Sequence, residues 1–405
     1  MATPRPALPE QTLLLAGGGH AHVAVLADWI RRGPPAGVRT LLLTPQRHLR
    51  YSGMVPGWLA GQHDKDEGLV DLAALAARAG VMWLQGRLVA LDPEARAAQT
   101  DSGETITFDI ASLDTGGVGR ARAVLGDDPR ILDIRPIEGF VERIAALDAP
   151  ARIVVAGGGA GGVELAFGLR HLAGASVRPE VTLVTGAGGL LPGFGTAVRR
   201  RVAAALARQG IAVIVGDARI EDGRLVAHIT LPPFASSAVE RPSAQPVSRL
   251  RSTRTAEDEL VSLEPADLLI AALGSAPPPW LRPSGLALDG RGFVAVDAQQ
   301  RSLSHPHVFA AGDVAARTDR SLAHSGVHAV MAGPVLAANL RAALQGEPPR
   351  ASYHPRRHSL YLINTGDGSA IASYGPLAAQ GGWARRWKHA IDRRWIAGYA
   401  ALAGS

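Results

Sequence analysis

The 405-residue chain contains no cysteine. That absence excludes disulfides, thiolate metal sites, iron–sulfur clusters and any relay of electrons through a thiol on this chain. No window approaches the roughly 18 uninterrupted apolar residues of a membrane-spanning helix, so a soluble or peripheral protein is expected. The opening MATPRPALPEQ has no apolar segment after its charges, and no secretory signal is expected. Aromatics are scarce at 5%, and many fall late in the chain. Lysine is scarce too, so the formal charge of +6 rests on arginine. Such a balance suits anionic partners such as nucleotides or a membrane surface, while nucleic acid is not among the partners expected. With 47% hydrophobic and 19% charged residues the composition is globular, with room for two or three domains and a sizeable core.

What is present is glycine in two ordered places. The stretch from Ala151 to Ala166, ARIVVAGGGAGGVELA, passes from a short apolar strand through glycines into a helix. It reads as a dinucleotide cradle: Gly157 turns the chain, Gly159 lets the backbone approach a pyrophosphate, and Gly162 lets the helix lie close to the strand. The helix start, from Ala160, presents free N–H groups to the anion. From Thr12, TLLLAGGGHAHVAVLADWIRR repeats the pattern with Gly17 and Gly19. Its third small position carries His22, which predicts a helix slightly farther from its strand. His20 and His22 fall on nearly opposite sides of a helix, so contact with a cofactor or packing is expected rather than a shared metal. Where each unit would place an acid for the ribose, the chain has Thr44 and Thr185, and no arginine follows at once to hold a 2′-phosphate. NADH and NADPH both remain open.

Between and after the cradles, HLRYSGMVPGWLAG reads as a compact loop, Asp71 to Gly80 as a helix and Val81 to Leu91 as a strand. ITFDIASL runs into the small-residue turn Asp114-Thr115-Gly116-Gly117, which suits close approach of a cofactor. Helix Thr196 to Gly210 carries Arg199, Arg200 and Arg201 on a solvated face. Strands are expected at 211–215 and 224–230, and residues 231–258, rich in Ser, Pro and Arg, read as a flexible surface insertion. ADLLIAALG is a buried strand ending at Gly274. GFVAVD and HVFAAGDVAA supply two more, the latter bringing Gly312 and Asp313 to a strand end. A carboxylate there can accept hydrogen bonds from cofactor hydroxyls or cap a helix. Helix Ser325 to Leu344 opens with small residues, and His324 and His328 share a face suited to packing or cofactor contact; no metal site is expected. The tail GGWARRWKHAIDRRWIAGY interleaves Trp383, Trp387, Trp395 and Tyr399 with Arg385, Arg386, Lys388, Arg393 and Arg394. That pattern fits a membrane interface, docking on the protein's own core, or a second subunit.

The ordered set resembles the two-dinucleotide-binding-domain flavoproteins of the pyridine nucleotide-disulfide oxidoreductase superfamily over roughly residues 12 to 345. Within them it is similar to the type II NADH dehydrogenase branch, and most similar to the module found fused to selenide water dikinase, through GGGHAH, RYSGMVPG, GVHAV and RWKHAIDRRW. The resemblance implies an α/β chain with two Rossmann-like three-layer domains: a discontinuous FAD-binding domain (1–117 and 277–345), an inserted NAD(P)H-binding domain (118–276), and a C-terminal interface or membrane-surface region (346–405). It implies FAD, with NADH or NADPH as electron donor. Gly17, Gly19, His20, Ala21, Thr44, Thr115 and Gly116 would line the FAD, with Pro56 and its loop near the flavin, Gly312 and Asp313 at the ribitol, and Gly326 and Val327 beside the ring. Gly157, Gly159, Ala160, Gly162, Thr185 and Gly274 would hold the nicotinamide nucleotide. Glu164 near the nicotinamide and His324 near the flavin are the catalytic candidates. Where type II dehydrogenases place glutamines beside a quinone, this chain has Val327 and Met331.

Without a thiol, electrons must leave the flavin directly, which separates this chain from disulfide reductases and sulfide:quinone reductases. The expected reaction is hydride transfer from nicotinamide C4 to flavin N5, then delivery to a small-molecule acceptor such as a quinone. The alternatives are a cofactor-gated interaction protein with slow turnover and a flavin monooxygenase. A cytoplasmic location, extending to the cytoplasmic membrane face through the tail, and a homodimer complete the expectations.

Overall fold

A computed structural model describes residues 11–148, 150–230, 258–356 and 358–404; nearly all of the expected insertion lies outside the described residues. Two five-stranded parallel sheets organise the chain. The first runs in the order Val308–Ala310, Ile110–Leu113, Gln11–Ala16, Val38–Thr44, Met82–Gln85. The second runs Ile131–Asp133, Leu268–Ala271, Arg152–Ala156, Glu180–Val184, Ala212–Ile214. In both, the cradle's own strand sits in the middle, with Leu14 opposite Leu41 and Ala111, and Val154 opposite Thr182 and Leu269.

Each central strand is apolar on both faces because both are covered, as parallel sheets require. Leu13 and Leu15 face helix His20–Arg32 with Leu72, Leu75, Leu336 and Leu340. Leu14 and Ala16 face Leu88, Leu91, Ala98 and Ile106 of a small antiparallel ribbon. The second sheet repeats this, with Ile153 and Val155 against helices Ala160–Arg170 and Thr196–Arg208, and Val154 and Ala156 against Leu225 and Ala227 of the ribbon Asp217–Glu221, Arg224–Thr230, Asp258–Ser262. The chain is thus an α/β protein of two three-layer units, as its sequence predicts.

Several boundaries differ from expectation. The strand expected over 81–91 is two, Met82–Gln85 in the parallel sheet and Leu88–Asp92 in the ribbon, separated at Gly86. Asp71 does not begin the next helix but caps Leu72–Arg78, its carboxylate accepting the Ala74 N–H at 2.9 Å. Helix Gly326–Leu344 starts after His324 and continues through Pro334. It is long and apolar enough to cross a membrane, yet it serves as a core helix: a Cβ on Gly333 would lie 2.6 Å from that of Ala24, and Leu336 and Leu340 are fully buried.

The tail forms a three-stranded meander, Leu360–Asn364, Ala370–Tyr374 and Leu377–Gly381, followed by the 22-residue helix Gly382–Ala403. Trp395, Ile396 and Tyr399 of that helix pack into the first unit's core, and Arg393 pairs with Glu67. Of the three settings left open for the tail aromatics, its carboxy-terminal half thus docks on the protein itself. Trp383 and Trp387 stack at 6.2 Å, and with Ile391 they are more than two-fifths exposed.

Candidate active site

Both cradles form. Gly157 adopts φ +133°, and a Cβ there would strike the Ala272 carbonyl; Gly17, at φ +98°, faces the Asp114 carbonyl in the same way. Gly162 lies against the Gly157 carbonyl, which is the close helix–strand contact expected of it, and Gly159 faces open space. Gly116 and Gly274, at φ +70° and +79°, turn the chain beside each cradle. The two threonines that stand where a ribose acid would be are buried under the glycine loops: Thr44 Oγ1 is 2.9 Å from a Cβ on Gly18, and Thr185 Cβ is 2.8 Å from one on Gly158. Their hydroxyls bond backbone carbonyls of Gln46, and of Gly186 and Ile214.

His22 is fully buried and makes two bonds of its own. Its Nδ1–H donates to the Gly17 carbonyl at 2.6 Å, which leaves Nε2 to accept from the Ser112 hydroxyl at 2.8 Å. It is therefore a packing residue, and burial pulls its pKa down to about 4 against the Gly17 bond. His20 lies against Tyr51 and Trp395, with ring centroids 5.7 and 5.4 Å away, and its Nε2 is buried with no partner among the described residues. Burial, partly offset by Asp313, brings it also to about 4.

Asp313 arrives where the sequence puts it, after strand Val308–Ala310, but Arg135 holds its Oδ2 at 2.7 Å. Pro56 is buried with its carbonyl 2.7 Å from a Cβ on Gly168, so its short helix Val55–Leu59 wedges against the second cradle's helix. Gly326 approaches the Ser52 hydroxyl, while Val327 and Met331 are exposed. His324 precedes the helix rather than sharing its face with His328; its Nδ1 lies 3.3 Å from Ser275 Oγ, and burial lowers its pKa while Asp313 raises it. His328 bonds the Tyr353 hydroxyl at 2.7 Å.

Glu164 meets partners that its sequence neighbourhood does not announce. It is partly buried and accepts the Asn364 N–H at 2.8 Å. Burial raises its pKa, and the Lys388 ammonium opposes that rise. Lys388 pairs with Asp392 at 3.1 Å, one turn along the carboxy-terminal helix. Burial depresses this lysine, but Glu164, Asp392 and Tyr51 together hold it above its ordinary range, so it stays charged. Tyr51, stacked on Trp395 at 4.7 Å, is pushed up to about 12, by burial first and then by Asp392. Lys388 Nζ lies 3.7 Å from a Cβ on Gly53 in the RYSGMVPG loop. A partly buried cation, two carboxylates and a phenol thus meet where both cradle units and the tail converge. The one local hint is that the chain has just two lysines, Lys65 and Lys388.

The residues fit a large polar ligand in the first unit. His20 Nε2, Thr115 Oγ1, His324 Nε2 and Ser325 Oγ are buried polar atoms without partners among the described residues, an arrangement that costs free energy unless something bonds them. A Cβ on Gly159 or Gly161 would meet no atom of the described residues within 4 Å, leaving the second cradle's backbone accessible.

Residues 12–333 match the family pyridine nucleotide-disulphide oxidoreductase. The chain belongs to that family. Its members are oxidoreductases that use FAD and NAD(P)H. The ferredoxin–NAD(+) reductase component of the biphenyl dioxygenase system of Paraburkholderia xenovorans is 30% identical over 260 residues, covering 64% of this chain and 56% of that protein. Dihydrolipoyl dehydrogenase of Geobacillus stearothermophilus is 28% identical over 222 residues, 54% of this chain and 40% of its own. The chain thus spans about half the length of the curated relatives it matches. In fold it is similar to NDH2 of Plasmodium falciparum, solved in complex with NADH (TM-score 0.71, 13% identity, 95% and 97% coverage). It is equally similar to the sulfide:quinone oxidoreductase of Aquifex aeolicus (TM-score 0.71, 17% identity, 97% and 92% coverage).

Proposed function

We propose that the protein is an FAD-dependent NAD(P)H:acceptor oxidoreductase of the type II NADH dehydrogenase kind, passing electrons to a small acceptor such as a quinone without a protein thiol. The observation that carries the reading is the Glu164–Lys388–Asp392–Tyr51 cluster, set between two dinucleotide cradles in a chain with no cysteine. FAD bound in the first unit would supply hydride acceptance from the nicotinamide and onward electron transfer. Gly157, Gly159 and Gly162, with the helix start at Ala160, hold the donor's pyrophosphate; Thr185 and Gly274 shape that loop. Gly17, Gly19, Thr44 and Gly116 shape the flavin-side loop, and the unpartnered Nε2 atoms of His20 and His324 and the Thr115 hydroxyl bond the cofactor. Glu164 orients the nicotinamide end. Lys388 carries a positive charge and a transferable proton at Nζ, and a cation held in a dry setting stabilises negative charge developing nearby.

The exposed Trp383–Trp387–Ile391 stripe, flanked by Arg386 and Arg394, supports contact with a membrane surface that would bring a lipid-soluble acceptor to hand. The test is the absorbance spectrum of purified protein during anaerobic addition of NADH and then NADPH, followed by quinones, ferricyanide and oxygen. Bleaching of a flavin band by one nucleotide and its return with an acceptor are expected. A colourless protein that takes up no flavin, or turnover no faster than free flavin gives, overturns the reading.

A further inference from the structure

The two cradles share one backbone plan. In each, the first glycine donates to the second strand (Gly17 N–H to Leu43 O, Gly157 N–H to Val184 O, both 2.8 Å). In each, the residue after the neighbouring strand donates back to the first strand's end (Asp114 N–H to Ala16 O, Ala272 N–H to Ala156 O, both 2.8 Å). Asp114 is therefore the counterpart of Ala272, and its side chain fills the space that the alanine leaves empty. Its Oδ2 accepts the N–H groups of Ala21 and His22 at 2.8 and 3.0 Å, in the first turn of the cradle helix. A Cβ on Gly19 would overlap this carboxylate, and one on Gly312 would lie 2.5 Å from Oδ1. The first cradle thus already holds an anion, supplied by the chain.

A helix N-terminus carries about half a positive charge, which one ionised carboxylate satisfies. A pyrophosphate arriving beside ionised Asp114 meets like charge in a desolvated setting, and one of the two must be neutralised or move. The orphaned His20 Nε2 and Thr115 Oγ1 nevertheless call for a ligand at this place. We propose that the first cradle accepts its dinucleotide together with one proton, which resides on Asp114. This rests on the reading that flavin dinucleotide belongs to that cradle. Asp114 is poised to take up that proton, since burial drives its pKa up to about 7 against the two N–H bonds, with Asp313 pushing further. The charged neighbour facing it is Asp313 on the Gly312–Val314 turn, itself paired with Arg135; His20 and His22 on the cradle helix are neutral at physiological pH.

The experiment titrates FAD into apoprotein from pH 6 to 9, following flavin fluorescence, and records proton uptake in weak buffer at pH 8. In the wild type the FAD Kd should be flat below about pH 6.5 and rise toward about tenfold per pH unit above 7.5, with about one proton taken up per FAD. Asp114→Asn, which keeps an acceptor for both N–H groups, and Asp114→Ala, which copies the second cradle, should give a flat profile, tighter binding at pH 8.5 and no proton uptake. Flavin uptake by a variant at high pH where the wild type takes up none gives the same support. Identical pH profiles, weaker binding by both variants at pH 8.5, or no proton uptake by the wild type overturns the proposal while leaving the flavin reading intact. If neither wild type nor variants take up flavin at any pH, both fall.

Discussion

Replacing Lys388 by methionine keeps most of the side-chain volume and removes the charge, leaving buried Asp392 and partly buried Glu164 without their cation. Breaking a buried pair in this way costs about 3–5 kcal/mol, because the remaining charge is desolvated without its counter-ion. A chain of this length, unfolding in one step, has an unfolding entropy of roughly 0.85 kcal/mol per degree, so Tm should fall by about 4–6 °C.

The loss should depend on pH with a definite sign. Lys388 is held above its ordinary pKa, so in the wild type its contribution persists through neutral pH and fades only at strongly alkaline pH. Without it, Glu164, whose pKa burial already raises, binds a proton that the unfolded chain does not hold above about pH 5, so the variant's stability falls as pH rises from 5 to 7.5. Thermal melts at both pH values test this, with Lys388→Met/Asp392→Asn as the partner variant, in which one buried charge is removed with the other and most of the loss returns. A Lys388→Met protein melting within 1 °C of wild type at pH 7.5, or showing the same deficit at pH 5, would refute the idea that this ammonium neutralises a buried acidic pair.

Gly159→Ala should leave Tm within about 1 °C, since its Cβ meets nothing, while raising the KM for the nicotinamide nucleotide about tenfold or more in steady-state assays. Gly19→Ala should instead lower stability by about 1–3 kcal/mol in denaturant melts by crowding the Asp114 carboxylate, and Asp114→Ala in the same chain should restore it. Exchanging exposed Trp383 and Trp387 for serine should leave Tm unchanged and reduce co-sedimentation with anionic vesicles, whereas Trp395→Ser, at the core, should lower Tm.

The sheets are legible in the sequence because each central strand is an uninterrupted apolar run feeding a glycine turn, a local signal that the parallel ladder then satisfies. The Lys388 cluster is not, because Glu164 and Lys388 lie on helices far apart in the chain, and the meander that brings them together carries no strong period of its own. Arg135 is equally hidden: nothing in DIRP announces that its guanidinium will take the Asp313 carboxylate.

The first cradle shows a subtler limit. His22 is visible in the sequence as the residue that breaks the glycine fingerprint, and by its size alone it should act as a spacer that pushes the helix outward. Its ring also bonds the Gly17 carbonyl and Ser112, two residues before Asp114 on the strand that delivers the carboxylate to the same helix. The departure and its compensation sit about ninety residues apart and meet only when the strands pair side by side. Gly19 and Gly159 are the same letter in the same motif, yet the first is glycine because the chain's own carboxylate lies against it and the second faces open space. A glycine pattern therefore specifies a backbone that lets something come close; which anion comes close is decided by the residue at the end of the neighbouring strand, aspartate in one unit and alanine in the other.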